Sequence, residues 1–173
     1  RVASTWHRLN VSPLELRVRA TLDNGQCFGW LPASSLSTTL GLDREEQDVE
    51  LIGVLNDHVI GLRDLPDDVC FRCYSSPSEP PAKVRQALAS FFQLDVSLAD
   101  LHRTWSRGDT RMASIARCIP GMRVLRQDPT ECLFSFLCSS NNNISRITQM
   151  LGRLRARFGR PVGEAYEQTY YTF

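Results

Sequence analysis

The chain has 173 residues, of which 42% are hydrophobic and 23% charged, the composition of an ordinary globular protein. Its length allows one sizeable hydrophobic core or two small ones. No apolar run approaches the roughly 20 residues that a membrane-spanning helix needs, so we expect no membrane partner. The net charge of +1 hides an asymmetry, because residues 123–160 carry seven arginines and only two acids. This segment is therefore either a surface for a polyanion or simply a solvated helix face.

The first 75 residues predict a meander of about five antiparallel strands. Residues 14–20 alternate apolar and polar side chains, as in a half-buried strand, and Asn24-Gly25 predicts a hairpin turn after them. A polar stretch at 32–48 predicts a mobile loop. Such a sheet needs helices over one face to be stable. The predicted strands are 14–20, 27–31, 49–55, 59–62 and 69–74.

The stretch SSPSEPP at 75–81 separates this sheet from a helical region, because the hydrophobic period changes after it. Asp109 or Thr110 is expected to cap the third helix of that region. The architecture is therefore α+β, with a first domain at 1–122 and the start of a helical domain at 123–173. The predicted helices are 81–94, 97–105 and 110–119, followed by two more after Asp128.

Residues 127–154 predict two helices that meet at a polar turn. Asp128, Pro129 and Glu131 are typical of a helix start: an N-cap, a proline at the first helical position and a glutamate three residues after the cap. The helix that follows is apolar on nearly all sides, so we expect it to be buried. Residues 139–143, Ser-Ser-Asn-Asn-Asn, interrupt it because short polar side chains compete with the helical backbone. We call them the asparagine elbow.

The helix after the elbow has an apolar face and a basic face. The apolar positions are Ile144, Ile147, Leu151, Leu154 and Phe158. The basic positions are Arg146, Arg153, Arg157 and Arg160. One asparagine, Asn142 or Asn143, is enough to cap this helix, so the triplet leaves amides that could contact phosphate or a base edge. The alternative is that the spare amides are only solvated.

The sequence offers little for catalysis. The three histidines have no neighbouring nucleophile. Lys83, the only lysine, follows two prolines at a helix start, with no sign of the desolvated pocket that a nucleophilic lysine needs. Cys70 and Cys73 have the spacing of a metal pair, but no second pair completes a zinc site, and free thiols in a reducing compartment fit better. We therefore expect no metal and no cofactor.

Three stretches of the chain carry recognisable motifs. The longest runs from Gln127 to Ile147 and reads QDP, ECLFSF, CSSNNNI and RI. The other two are FQLDV at 92–96 with Trp105, and Gly25-Gln26 with Phe28 and Trp30. Together they closely resemble the eukaryotic 8-oxoguanine DNA glycosylases. The elbow preceded by RQDP is highly specific for that family.

The resemblance implies an antiparallel domain like that of the TATA-box-binding protein, followed by the first part of a helix-hairpin-helix glycosylase domain. It also implies a bifunctional DNA glycosylase/AP lyase of base-excision repair, which flips oxidised guanine out of the duplex and excises it. The expected partner is double-stranded DNA with 8-oxoguanine paired with cytosine, bound by a monomer. The expected location is the nucleus, with the mitochondrion as an alternative.

The resemblance also implies roles for individual residues. Asn141 matches the asparagine that enters the vacated stack near the orphaned cytosine, and Arg146 matches the arginine that contacts this cytosine. Gly25 matches the glycine whose carbonyl accepts the N7 hydrogen that 8-oxoguanine has and guanine lacks. We further expect phosphate contacts from Asn142, Asn143, Arg153 and Arg157.

The chain departs from the family pattern in three ways. No position matches the catalytic lysine and aspartate, which we expect beyond residue 173, so this chain alone is predicted to be inactive. Residues 32–48 contain an extra loop, and Gly29 stands where the family has an arginine before Trp30. Because the chain starts with Arg1 and both ends look cut, we interpret it as the N-terminal portion of a longer enzyme. The alternative is a truncated isoform that only binds damaged DNA or another protein.

Overall fold

The computed structural model describes residues 5–33, 49–75 and 80–173. Within these ranges the chain has an α+β fold with an antiparallel sheet, as predicted. The predicted loop at 32–48 falls mostly outside the described residues. The strands are β1 (His7–Arg8), β2 (Leu31–Pro32), β3 (Leu51–Leu55), β4 (His58–Asp64), β5 (Val69–Cys73), β6 (Pro161–Ala165) and β7 (Gln168–Tyr171). The helices are α1 (Val18–Leu22), α2 (Pro81–Phe91), α3 (Leu98–Gly108), α4 (Thr110–Cys118), α5 (Pro129–Ser139) and α6 (Ile144–Phe158).

Five strands form the main sheet in the order β1-β5-β4-β3-β2. The predicted strands at 49–55, 59–62 and 69–74 are confirmed as β3, β4 and β5. Leu62 and Phe71 are paired across β4 and β5, and both belong to a buried cluster with Val84 and Leu88 of α2. Helix α2 therefore covers one face of the sheet, as the packing requirement of a small sheet demands.

The predicted strand at 14–20 is wrong, because residues 18–22 form the short helix α1. The carboxylate of Asp64, at the end of β4, accepts hydrogen bonds from the backbone N–H groups of Val18 (2.9 Å) and Arg19 (3.2 Å). This cap comes from a residue 46 positions away, so the local alternation of side chains could not reveal it. The predicted strand at 27–31 is also wrong except for its last residue, which belongs to β2.

The predicted helix caps are confirmed. Asp109 accepts from the N–H groups of Arg111 and Met112 at the start of α4, and Asp128 caps α5 through Thr130 and Glu131. The expected burial of α5, however, is wrong. Phe136 is 73% exposed and Leu137 57%, and Ser135 is the one buried residue of the helix. No described part of the chain covers these apolar positions. The apolar surface of α5, which the sequence predicts to be buried, is therefore exposed to solvent.

Residues after 160 form a separate two-stranded sheet, the hairpin β6–β7, which the sequence did not predict. Ala165 and Tyr170 of this hairpin share a buried cluster with Ile52 and Val59 of the main sheet. The division of the chain at residues 122 and 123 stays a prediction. No helix among the described residues is long and apolar enough to cross a membrane.

Candidate nucleic-acid interface

The turn after α1 is built around Gly25. Its φ of +85° lies in the left-handed region, which a residue with a side chain adopts only at a cost. Asn24 stabilises the turn from both sides, since its amide donates to the Ala20 carbonyl and its side-chain oxygen accepts from the Gln26 N–H. The turn is therefore fixed by local bonds and requires glycine at its centre.

Gln26 ties this turn to the segment before α5. Its side-chain amide donates to the carbonyls of Thr21 (2.7 Å) and Arg123 (2.8 Å), and its side-chain oxygen accepts from the Leu125 N–H (3.1 Å). In return, the side-chain amide of Gln127 donates to the Gln26 carbonyl at 2.7 Å. These bonds hold the Gly25 carbonyl in one place relative to the helices that follow.

Arg123 is the buried centre of this connection, at 6% exposure. Its guanidinium pairs with Glu15 at 2.6 Å and also donates to the carbonyls of Glu15, Phe92, Gln93 and Val96. Glu15 in turn accepts from the first backbone N–H groups of α3. Burial alone would raise the pKa of Glu15, but the bonds to those N–H groups and to Arg123 outweigh it and lower the pKa.

The asparagine elbow uses its three side chains differently. Asn143 caps α6 by accepting from the Arg146 N–H at 3.0 Å. Asn142 lies half-buried, donates to the Cys138 carbonyl and accepts from the Asn143 N–H. Asn141 is exposed, and its backbone has the left-handed conformation with φ +48°. Its side chain has no partner among the described residues. The elbow therefore holds itself together with two asparagines and presents the third to solvent.

The elbow and the Gly25 turn are neighbours. A Cβ at Gly25 would lie 3.6 Å from Cδ1 of Ile144, the first residue of α6. Behind this contact, Phe28 is buried against Ile147 and Leu151 on the inner face of α6. The structure thus brings Gly25 and the elbow together although Gly25 and Asn141 are 116 positions apart in the sequence.

The arginines of this region fall into two groups. Arg146, Arg153 and Arg157 are exposed along α6, and the Arg157 guanidinium stacks on Phe158, 5.5 Å from the ring centroid. Arg160, which the sequence placed with them, forms an ion pair with Asp57 at 2.9 Å. Arg155 points to the other side and pairs with Glu131 of α5. Arg146, Arg153 and Arg157 therefore place three exposed positive charges along one helix.

This surface can bind a phosphate backbone and a base edge. The first turn of α6 adds backbone N–H groups and the positive end of the helix dipole to the side chains of Asn141 and Arg146. Two side chains with nucleophilic chemistry lie elsewhere in the described part of the chain: Lys83 is exposed at the start of α2, and burial raises the pKa of the Cys27 thiol to about 12. Among the described residues, no three His, Cys, Asp or Glu side chains are placed to hold a metal ion.

Sequence reasoning selected the residues at the surface of this site but missed those that hold it. In the sequence, Gln26 is only part of a motif, and Arg123 and Arg155 only contribute positive charge to the basic segment. A buried arginine looks like an exposed one in a sequence, so no local signal distinguished them. The arginine expected at position 29 is absent, and the Arg155 guanidinium lies beside Gly29 instead.

Comparison with known proteins shows the family to which the chain belongs. Residues 8–133 match the family model described as "8-oxoguanine DNA glycosylase, N-terminal domain". The N-glycosylase/DNA lyase OGG1 of Arabidopsis thaliana is 37% identical over 150 residues, which cover 84% of this chain and 36% of that protein. The N-glycosylase/DNA lyase of Saccharomyces cerevisiae is 31% identical over 170 residues, covering 96% of this chain and 43% of the relative. The chain thus spans well under half the length of these curated relatives.

Solved structures show the same likeness in three dimensions. The 8-oxoguanine glycosylase/lyase of Clostridium acetobutylicum, in complex with double-stranded DNA containing cytosine opposite 8-oxoG, matches the whole chain with a TM-score of 0.75 at 25% identity. Its apo-form gives a TM-score of 0.76. The chain covers 52% and 53% of these two structures. Because the family model matches most of the sequence, the chain belongs to the 8-oxoguanine DNA glycosylase family and carries its N-terminal domain.

Proposed function

We propose that this chain is the part of an 8-oxoguanine DNA glycosylase/lyase that recognises a lesion duplex and reads the cytosine opposite the lesion. One observation carries the proposal: Asn141, exposed and without a side-chain partner in the described ranges, lies in the same small region as Arg146 and the Gly25 turn. The Clostridium relative, whose structure contains cytosine opposite 8-oxoG, supports this choice of partner. Duplex DNA as partner favours a nuclear location, with the mitochondrion as the alternative.

The role of Asn141 follows from its conformation. Asn141 is exposed in the turn between α5 and α6 with a left-handed backbone, and its amide carries both donors and an acceptor for a base edge. Arg146, in the first turn of α6, can form two parallel hydrogen bonds to a base or a phosphate. In the proposed complex, Asn141 enters the space that the flipped base leaves, and Arg146 contacts the orphaned cytosine.

Gly25 supplies the contact to the lesion. Its turn is fixed by Asn24 and Gln26, and the absence of a side chain lets a base approach the backbone carbonyl. Arg153 and Arg157 extend the basic surface along α6 and hold the phosphate backbone. Asn143 is occupied as a helix cap and Asn142 by bonds within the elbow, so any phosphate contact of theirs uses only their remaining polar atoms.

We propose further that this chain alone does not excise the base. Lysine is the nucleophile that the resemblance implies, and the one lysine of the sequence, Lys83, lies in the first turn of α2 and not in the elbow. A borohydride trapping assay with an 8-oxoguanine duplex tests this proposal. We expect no covalent adduct, and an adduct with this chain would contradict it. A chain that does not excise the base would act as the binding part of a longer enzyme, or as a binding module.

Binding by Asn141→Ala tests the recognition role. We expect weaker binding to a duplex with 8-oxoguanine opposite cytosine and a loss of the preference for cytosine over adenine, because each specific base contact is worth about 1–3 kcal/mol. Asn56→Ala is a matched control, since Asn56 is also exposed and has nearly the same φ, 47° against 48°, but lies in the β3–β4 turn. Unchanged discrimination in Asn141→Ala would refute the role.

A further inference from the structure

We infer that the ion pair between Glu131 and Arg155 is a clamp that positions the asparagine elbow, so that Arg155 is a positioning residue for recognition of the opposite base. Glu131 lies in the first turn of α5, and Arg155 lies in the last turn of α6. The two helices meet at the elbow, and the pair joins their other ends. This inference rests on the proposed function of the elbow.

The ion pair between Arg155 and Glu131 is largely shielded from solvent. The side chains of Arg155 and Glu131 are only 14% and 24% exposed, which reduces screening by salt. The Arg155 guanidinium also lies over the ring of Phe173, 5.4 Å from its centroid, and that ring in turn contacts Phe134 of α5. The clamp therefore combines an ion pair with aromatic packing and connects α5, α6 and the end of the β6–β7 hairpin.

Gly29 makes room for this clamp. A Cβ at Gly29 would lie 3.0 Å from Oε1 of Glu131 and 3.2 Å from a terminal nitrogen of Arg155, both closer than ordinary contact. Position 29 is thus directly beside the two charges. It also lines a cavity of about 470 Å³, together with Asp57, Asp128 and Glu131. A long side chain at position 29 could enter this cavity and reach the Glu131 carboxylate.

Geometry explains why the clamp matters at the elbow. At about 1.5 Å per residue, the 11 residues of α5 and the 15 of α6 form arms of roughly 16 and 22 Å. The inner face of α6 is fixed against Phe28, whereas α5 is largely exposed. Without the clamp, α5 can rotate about its base and carry Asn141 with it. A displacement of about 1 Å in a recognition group can cost a large factor in function.

The test compares Arg155→Met with Arg160→Met in the full chain. Both changes remove one positive charge, but Arg160 belongs to an exposed ion pair outside the clamp. We measure the affinities for 8-oxoguanine duplexes with cytosine or adenine opposite the lesion, and amide hydrogen exchange of residues 140–147 without DNA. We expect Arg155→Met to lower the cytosine-over-adenine ratio about tenfold and to speed exchange at the elbow. Arg160→Met should lower overall affinity with little change in the ratio.

Relocating the charge distinguishes positioning from general destabilisation. Gly29→Arg added to Arg155→Met returns a guanidinium to Glu131 from the neighbouring position, and we expect it to restore both the ratio and the slow exchange. Arg155→Lys keeps the positive charge but lacks the planar guanidinium. It should give a cytosine-over-adenine ratio and an exchange rate between those of wild type and Arg155→Met, even if Arg155→Met unfolds. An unchanged ratio and unchanged exchange in folded Arg155→Met would overturn the clamp. If the wild-type chain shows no lesion preference, the proposed function fails, and the exchange data alone still decide the clamp.

Discussion

Replacing Arg123 by methionine should destabilise the whole chain and release the Gly25 turn. Methionine fills part of the same volume but leaves the Glu15 carboxylate and four backbone carbonyls without their shared donor. The Arg123 carbonyl also accepts from Gln26, which holds the turn. One substitution therefore reaches both the fold and the expected lesion contact.

The size of the effect follows from burial. Removing one partner of a buried ion pair costs about 3–5 kcal/mol, because the other charge stays buried without compensation. Glu15 still accepts from the N–H groups of Leu98 and Ala99, so we expect a value near the lower end, about 3 kcal/mol. Each kcal/mol lowers the melting temperature of a domain of this size by about 2–4 °C, which predicts a loss of roughly 10 °C.

Urea and thermal unfolding followed by circular dichroism measure this loss. Arg126→Met is the matched control, because Arg126 is exposed and makes a single side-chain bond, to Ser90. It should change the free energy of unfolding by less than about 0.5 kcal/mol. If Arg123→Met cost no more than Arg126→Met, the hydrogen bonds around Arg123 would not stabilise the fold, and the reasoning would be refuted.

Three further predictions concern the cap of α6, the effect of acid on stability and the effect of salt on DNA binding. Asn143→Ala should cost about 1 kcal/mol of unfolding free energy through loss of the α6 cap, and an unchanged urea midpoint would contradict this. The folded-state pKa values of Glu15 and Asp68 are lowered, because hydrogen bonds to their carboxylates outweigh the effect of burial. Stability from these two groups is therefore present above their ordinary pKa values and should be lost as the pH falls below about 4; equal urea midpoints at about pH 6 and pH 3 would refute it. Replacing both Arg153 and Arg157 by methionine should weaken binding to all duplexes alike and reduce the slope of log affinity against log salt by up to about 2; an unaltered slope would exclude phosphate contacts.

Local signals in the sequence predicted the helices well. The side chains of Asp109 and Asp128 accept hydrogen bonds from N–H groups two and three residues ahead. Both partners of each cap therefore lie within a few positions of the sequence. Helix α1 shows the opposite case. The chain there alternates like a strand, but the carboxylate of Asp64, brought close by the sheet, caps the N-terminus of a helix instead. Tertiary contacts overrode the local preference.

The asparagine elbow shows the same division. Local patterns predict that a polar turn joins two helices and that one asparagine caps the second, because caps and helical periodicity depend on neighbouring residues. Which asparagine remained free was not readable: Asn143 became the cap, Asn142 turned inward and Asn141 was left exposed. Only the tertiary structure brought Gly25 beside Ile144 and placed Arg155 against Glu131, since the folding of the whole chain decides contacts between residues so far apart.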